Sequence, residues 1–290
     1  MVKILKVRTI SRNGDFMIID KEVLEHTFNG NIFETAAQLR VSVQTVMATL
    51  TKFNMVFDAP TNIYHGLKKT SFSKFQQSIL IGSILGDGHL ERAKNSANAC
   101  FREEHAIDQE SWLRWKYDNL KPFTTADMWI RDRGKSALLP DGHGGKKLYN
   151  IQQVAAMSTG RHPYLTQLHQ LFYIDRVKVV PIEFLKDNFD MVVLAVLIGD
   201  DGNFCENSIR ICSDSFTESE VEFLSSLCAK FYKSRITLRT DNNGKKCRIV
   251  FTEIKKHLSF FEELRNILPK CMHHKVTPVL NEHQVATHVE

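Results

Sequence analysis

Leu80-Ile81-Gly82-Ser83-Ile84-Leu85-Gly86-Asp87-Gly88 and Leu194-Ala195-Val196-Leu197-Ile198-Gly199-Asp200-Asp201-Gly202 share one unusual design. Each reads as a nearly charge-free helix that runs into an acid and a glycine. A carboxylate is badly placed at a helix C-terminus, where the macrodipole already concentrates negative charge. The glycine after it suits a left-handed turn at the helix end. Meeting this misfit twice points to a paired acidic site, whose natural ligand is a divalent cation. Gly82 and Gly86 in the first segment, and Ala195 and Gly199 in the second, put small residues one turn apart. That spacing predicts two helices in close contact.

The segments resemble the LAGLIDADG motif of homing endonucleases, in its two-copy, single-chain form. Aligned without gaps, the first copy departs from the pattern at Ile81, Ser83, Leu85 and Gly86, and the second at Val196, Gly199 and Asp200. Both keep the penultimate acid and the final glycine. Asp87 and Asp201 match the family's metal-binding acids. Asp200 has no acidic counterpart, because Gly86 stands at its position, and it reads as a helix-end residue.

The regions after the two segments look like diverged repeats. Strand-like runs fall near 99–103, 128–131 and 148–157, and again near 208–213, 235–240 and 246–252. A charged amphipathic helix lies between them each time, at 105–120 and 218–232. Each repeat closes on Lys-x-x-Pro: Lys178-Val179-Val180-Pro181 and Lys275-Val276-Thr277-Pro278. The resemblance covers about residues 71 to 280. It includes Phe101-Arg102-Glu103-Glu104-His105, Trp112-Leu113-Arg114-Trp115-Lys116-Tyr117 and His162-Pro163-Tyr164-Leu165. It implies an α+β fold of two α-β-β-α-β-β-α repeats related by a pseudo-twofold axis, with two antiparallel sheets forming a DNA-binding saddle. The domains expected are 1–70, 71–181 and 182–290.

The first block carries its own signal. Residues 33–53 read as helix, tight turn, helix, with Ser42 as the cap of the second helix and Val43, Val46, Met47 and Leu50 at helical spacing. This is a helix-turn-helix layout, whose second helix can enter a major groove through Gln44 and Thr45. Residues 54–69 read as a turn-rich linker.

Composition bounds the rest. The chain has 290 residues, 43% hydrophobic and 24% charged, with a net charge of +5. That is ordinary globular composition, compatible with a nucleic-acid partner. No apolar run approaches a membrane span, and the N-terminus lacks a secretory h-region, so an intracellular location is expected. The six cysteines include no Cys-x-x-Cys pair, which argues against a zinc site or a disulfide scaffold. His273-His274 beside Cys271 fits no zinc template.

The resemblance assigns chemistry residue by residue. Asp87 and Asp201 would hold two or more Mg²⁺ ions, and Lys178 and Lys275 would assist cleavage from one repeat each. An ammonium near the scissile phosphate stabilises developing negative charge. Alternating basic residues on strands suit a ribbon in the major groove. The candidates are Arg102, Arg131, Arg133, Lys146, Lys147 and Gln152 in the first repeat. In the second they are Arg210, Arg235, Arg239, Lys246 and Arg248, with Thr237 on the same face as Arg235 and Arg239. Residues 132–147, rich in Gly and Lys, read as a mobile loop that orders on DNA. The expected activity is Mg²⁺-dependent, double-strand cleavage by a monomer at a long duplex site, leaving short 3′ overhangs. Two alternatives remain at this point: an intron maturase whose partner is RNA, and a non-cleaving regulator, against which the intact acids count.

Overall fold

In chain order the helices are α1 (Lys21–Thr27), α2 (Ile32–Leu39), α3 (Val43–Lys52), α4 (Lys74–Leu85) and α5 (Glu110–Leu120). They continue with α6 (Pro163–Phe172), α7 (Ile182–Asn188), α8 (Met191–Asp201), α9 (Glu218–Tyr232) and α10 (Leu258–Ile267). The strands are β1 (His89–Glu91), β2 (Cys100–Ala106), β3 (Trp129–Pro140), β4 (Lys146–Ser158) and β5 (Tyr173–Ile174). The rest are β6 (Val177–Lys178), β7 (Gly202–Cys205), β8 (Ser208–Cys212), β9 (Ile236–Thr240) and β10 (Lys246–Phe251). This is a computed structural model that describes residues 18–58, 66–124, 126–140, 146–205, 208–240 and 244–277. From α4 to α6 and again from α8 to α10 the order is α-β-β-α-β-β-α, as the repeat reading requires. No helix among the described residues is long and apolar enough to cross a membrane.

The chain divides into two compact units. One comprises Met1–Phe72 and Arg92–Leu165, the other Ser73–Glu91 and Thr166–Glu290. The boundaries of compactness therefore differ from the repeat boundaries, because α4 packs against α8 and joins the second unit.

In the first unit, Asp20, Asn31 and Ser42 cap α1, α2 and α3 by accepting from backbone amides of the first turn. The helix pair α2–α3 is the expected helix-turn-helix, and Arg40 closes α2 at a left-handed φ of 54°. The sequence reading did not foresee α1. Leu24, Ala36, Val46 and Leu50 are fully buried between the helices. Strands β2, β4 and β3 lie side by side in that order, antiparallel. On β2, Phe101, Glu103 and His105 are buried, while Arg102 and Glu104 alternate onto the opposite, more open face.

Two expectations need correction here. Residues 132–147 are not a loop: β3 and β4 pair out to Pro140 opposite Lys146, with 141–145 outside the described residues. The cross-strand pairs Leu138–Leu148 and Ala137–Tyr149 continue the ladder that the Gly and Lys content concealed. The register shifts between Asp132 and Lys135, a bulge at Arg133 and Gly134. The amphipathic helix also starts later than 105, because His105 belongs to β2 and α5 begins at Glu110.

The second unit holds the sheet β7-β8-β10-β9, all antiparallel. Helix α9 lies on one face, started by a capping box in which Thr217 and Glu220 satisfy each other's backbone amides. Ile209, Ile211, Ile249 and Phe251 are completely buried. Helices α4 and α8 pack along each other as the hub of this unit. At their outer ends Ser78 Oγ donates to Asp190 Oδ2 at 2.6 Å, while Asp190 Oδ1 caps α8 by accepting from Val193 N.

Candidate functional site

Glycines on α4 make room for the close approach of α8. A Cβ on Gly82 would lie 2.7 Å from the carbonyl oxygen of Val193 and 2.7 Å from Val196 Cβ. A Cβ on Gly86 would lie 2.6 Å from Asp200 Cβ. Both distances are below any real contact, so these positions exclude a side chain. Gly82 and Gly86 thus lie where α4 meets α8. On α8 the nearest atoms belong to Val193, Val196 and Asp200, not to Ala195 and Gly199. The two helices interlock through complementary rather than matching residues: Val196, where the motif has glycine, fills the space over Gly82.

The glycines after the acids do not take the left-handed turn. Gly202 is extended, at φ −76° and ψ 140°, and Gly88 is also outside the positive-φ region. The reason is that α8 passes straight into β7, which begins at Gly202. Gly202 is required for a different purpose, since a Cβ there would sit 2.2 Å from the Ile198 carbonyl oxygen.

The helix ends are instead closed by lysine. Lys178 Nζ donates to the carbonyls of Gly86 (2.9 Å) and Gly88 (3.1 Å). Lys275 Nζ donates to the carbonyls of Gly199 (2.6 Å) and Asp200 (3.0 Å). Cations at a helix C-terminus satisfy its unpaired carbonyls and offset the negative end of the dipole. This resolves the electrostatic misfit that marks the sequence. Two different local structures deliver the two lysines. Lys178 sits on the β5–β6 hairpin, whose turn residues Asp175 and Arg176 both have positive φ, at 49° and 67°. Lys275 ends a 3-10 turn, Lys270–Lys275. The hairpin is tied down on both sides: Tyr173 Oη accepts from Leu90 N at 3.2 Å, and Glu220 Oε1 accepts from Val180 N at 2.7 Å.

Three carboxylates gather at this end of the helix pair. Asp87 is exposed, and Asp200 and Asp201 are half-buried. Carboxylate oxygens of Asp87 and Asp200 come within 4.8 Å of each other, and Asp200 Oδ2 accepts from Asp87 N at 3.4 Å. Burial, and then the neighbouring Asp87 and Asp200 charges, push Asp201 up to about 7 despite Lys178 and Lys275. The crowded negative charge of the carboxylates suits a hard divalent cation, which takes one or two carboxylates and keeps part of its water shell. Sequence reasoning named Asp87, Asp201, Lys178 and Lys275, and the structure gathers all four. It adds Asp200, which faces Asp87 through the gap that Gly86 leaves.

The basic strand residues divide by environment. Arg210 and Arg248 lie on the face of β8 and β10 opposite the buried Ile209, Ile211 and Ile249. Arg239 on β9 pairs directly with Arg248, while Arg235 and Thr237 are exposed on the same alternation. In the first unit Arg102 is half-buried opposite Ser158. Arg131 is ion-paired with Glu104 at 3.2 Å. Arg133, Lys146, Lys147, Gln152 and Lys246 are strand residues whose side chains lie outside the described set. Gln44 is exposed on α3. Thr45 is buried, with its hydroxyl 2.8 Å from Ser42 Oγ, which makes it part of the cap rather than an outward-facing residue. A cavity of about 360 Å³ in the first unit is lined by Lys68, Arg102, Arg161, Ser158 and Thr159. Lys68 and Arg161 were missed, because isolated cations in a linker and a loop carry no pattern. His273 is a helix-end residue: its Nε2 lies 3.1 Å from the carbonyls of Arg265 and Leu268.

Known proteins resemble this chain over the same region. Residues 77–258 match the family model described as LAGLIDADG DNA endonuclease family. The DNA endonuclease I-ChuI of Chlamydomonas applanata is 24% identical over 220 residues, 71% of this chain and 96% of that protein. The intron-encoded endonuclease ai4 of Dictyostelium discoideum is 35% identical over 72 residues, 25% of this chain and 45% of that protein's length. The homing endonuclease I-WcaI, solved bound to its DNA recognition sequence, has the same fold, with a TM-score of 0.62 at 18% identity over 79% of this chain and 98% of that one.

Proposed function

Because this chain belongs to the LAGLIDADG DNA endonuclease family, we propose that it is a site-specific endonuclease that cuts both strands of duplex DNA with divalent metal. The observation that carries the reading is the gathering of Asp87, Asp200 and Asp201 at the glycine-packed ends of α4 and α8, flanked by Lys178 and Lys275. Asp87 and Asp201 would be the principal Mg²⁺ ligands, with Asp200 completing the negative pocket between them. Bound there, the metal would supply an activated water and neutralise the leaving oxygen of an in-line phosphodiester displacement.

The protein's own groups prepare that reaction. Lys178 and Lys275 pin the carbonyls at the two helix ends and so fix the backbone that carries the acids. Their ammonium charges also favour the ionised form of Asp201, which is the form that binds metal. The same charges stabilise negative charge developing on a phosphate brought to the acids. Binding energy for a long duplex comes from the basic open faces of the two sheets and from the Lys68–Arg102–Arg161 cavity, whose cations suit backbone phosphates. Gln44, exposed on α3, would extend the footprint.

The test is a cleavage selection on a randomised duplex library, with and without Mg²⁺. The proposal expects a discrete set of sequences cut on both strands, only with metal. Cleavage without divalent metal, or indiscriminate nicking, contradicts it.

A further inference from the structure

The helix-turn-helix is seated on the first unit by packing and not hung from it by a tether. Arg40, at the end of α2, donates from Nη1 to Asn119 Oδ1 of α5 at 3.3 Å. The Phe33 ring of α2 lies against Gly66, where a Cβ would fall 1.9 Å from the ring's Cζ. The chain just after Gly66 is fixed to the core of the same unit. Leu67 and Phe72 are buried, Phe72 stacks on Phe123 with ring centroids 3.7 Å apart, and His162 Nε2 lies 2.9 Å from the Thr70 carbonyl oxygen. Residues 66–72 thus form a packed joint. The joint also carries one wall of the basic cavity. Lys68 stands on it, and Arg102, which lines the same cavity, belongs to the open face of β2. The cavity therefore joins the open face of the sheet to the base of the helix-turn-helix. Charge within the helix-turn-helix is segregated. The acids Glu22, Glu25 and Glu34 lie on α1 and at the start of α2, whereas α3 has no acid and exposes Gln44, Thr51 and Lys52.

We propose that α3 is a second reader of duplex DNA, mounted rigidly on the first unit, so that the protein recognises a site in two parts with one fixed spacing. The proposal rests on the DNA-binding reading above and adds a flanking element and its register. A helix that enters a groove passes between two rows of phosphates, which disfavours acids on it. Among α1, α2 and α3 only α3 meets that condition. Gln44 is the second residue of α3, and the first residues of a recognition helix are those that reach base edges. Its amide both donates and accepts, as base edges require. Lys68, Arg102 and Arg161 in the cavity suit phosphates of the duplex between the two elements. The mounting decides how spacing is tolerated. A flexible tether lets a module follow its sequence when base pairs are inserted. A packed joint does not. With about 10 base pairs per turn, an insertion of five puts the flanking element on the opposite side of the duplex, and ten return it to the same side about 34 Å further along.

Footprinting and affinity measurements without divalent metal, on a duplex selected for wild-type binding, test this independently of cleavage. The double variant Gln44→Glu/Thr51→Glu places two acids on the exposed face of α3. It should lose protection over one flanking segment, keep protection over the rest of the site, and bind on the order of tenfold more weakly. Inserting five or ten base pairs between the flanking segment and the rest should weaken wild-type binding to the level of the variant. The variant should be indifferent to the same insertions. Gly66→Ala displaces the Phe33 ring and should shrink the wild-type insertion penalty, because a loosened module contributes less to the unaltered site. Melting temperatures of the variants report whether folding is intact, and the insertion series on the wild type does not depend on how any variant folds. Identical footprints for wild type and double variant would overturn α3 as a reader. Undiminished wild-type affinity for either inserted duplex, with the flanking segment still protected, would overturn the rigid mounting. Failure of the wild type to bind any duplex would instead overturn the DNA-binding reading itself.

Discussion

The glycines of α4 are defined by what lies against them. Gly82 faces backbone and a β-branched side chain, neither of which can yield cheaply. Gly82→Ala should cost about 1–3 kcal/mol by overpacking, measured by denaturant unfolding. Gly86→Ala would collide with the Asp200 side chain and should displace that carboxylate from the acid cluster. Ser83 is the opposite case: its hydroxyl is fully buried in the same helix with no hydrogen-bond partner among the described residues. Ser83→Ala should stabilise the protein, by on the order of 1 kcal/mol. A loss of stability there would mean that the hydroxyl has a partner. At this scale the sequence was legible wherever chemistry is local. The acid-glycine pairs and the two Lys-x-x-Pro elements stand out in one dimension. The carbonyl partners of Lys178 and Lys275 do not, because they lie 92 and 76 residues away in the chain. The closing glycines were misread for a different reason: α8 runs straight into β7, and a Cβ at Gly202 would meet the carbonyl of Ile198 in the turn just before it.

Between elements, one ionic cluster binds β2 to α5. Glu103, His105 and Lys116 are buried, with both Lys116 Nζ and His105 Nε2 directed to Glu103 Oε1, and with Lys116 over the Trp112 ring at 4.6 Å. Burial alone would raise the Glu103 carboxyl, but Lys116 and His105 outweigh it and hold it below the usual carboxylate range. Removing one partner leaves a buried charge uncompensated. Glu103→Ala should therefore cost about 3–5 kcal/mol, whereas the double variant Glu103→Leu/Lys116→Met should recover most of that loss. Chemical denaturation of the three proteins distinguishes a mutual pair from two independent contacts. Element order was legible as a repeat because it occurs twice. The β3–β4 hairpin was not, because Gly and Lys content favours a loop locally while the ladder is fixed by pairing across strands.

For the whole molecule, the acid cluster couples folding to pH. The Asp201 carboxyl is raised to about 7, so between about pH 4 and pH 7 the folded state holds a proton that the unfolded chain has released. Without divalent metal, stability from this group therefore falls as pH rises through that window. Calorimetric melting at pH 5 and pH 8 should show a smaller drop for Asp201→Asn than for the wild type, and Mg²⁺ should offset the wild-type drop at pH 8. An equal pH response in both proteins would remove the crowding that this account places at Asp201. The net charge of +5 fits a polyanionic partner, but it is the placement of arginines on open sheet faces that makes the case.

Binding and cleavage by Asp87→Asn and Asp201→Asn, measured side by side on a duplex that the wild type cuts, test the central claim most directly. Both variants should bind that duplex with near wild-type affinity and leave both strands intact in the presence of Mg²⁺. Cleavage at a near-normal rate by either variant would contradict the assignment of these two aspartates as the centre of the nuclease.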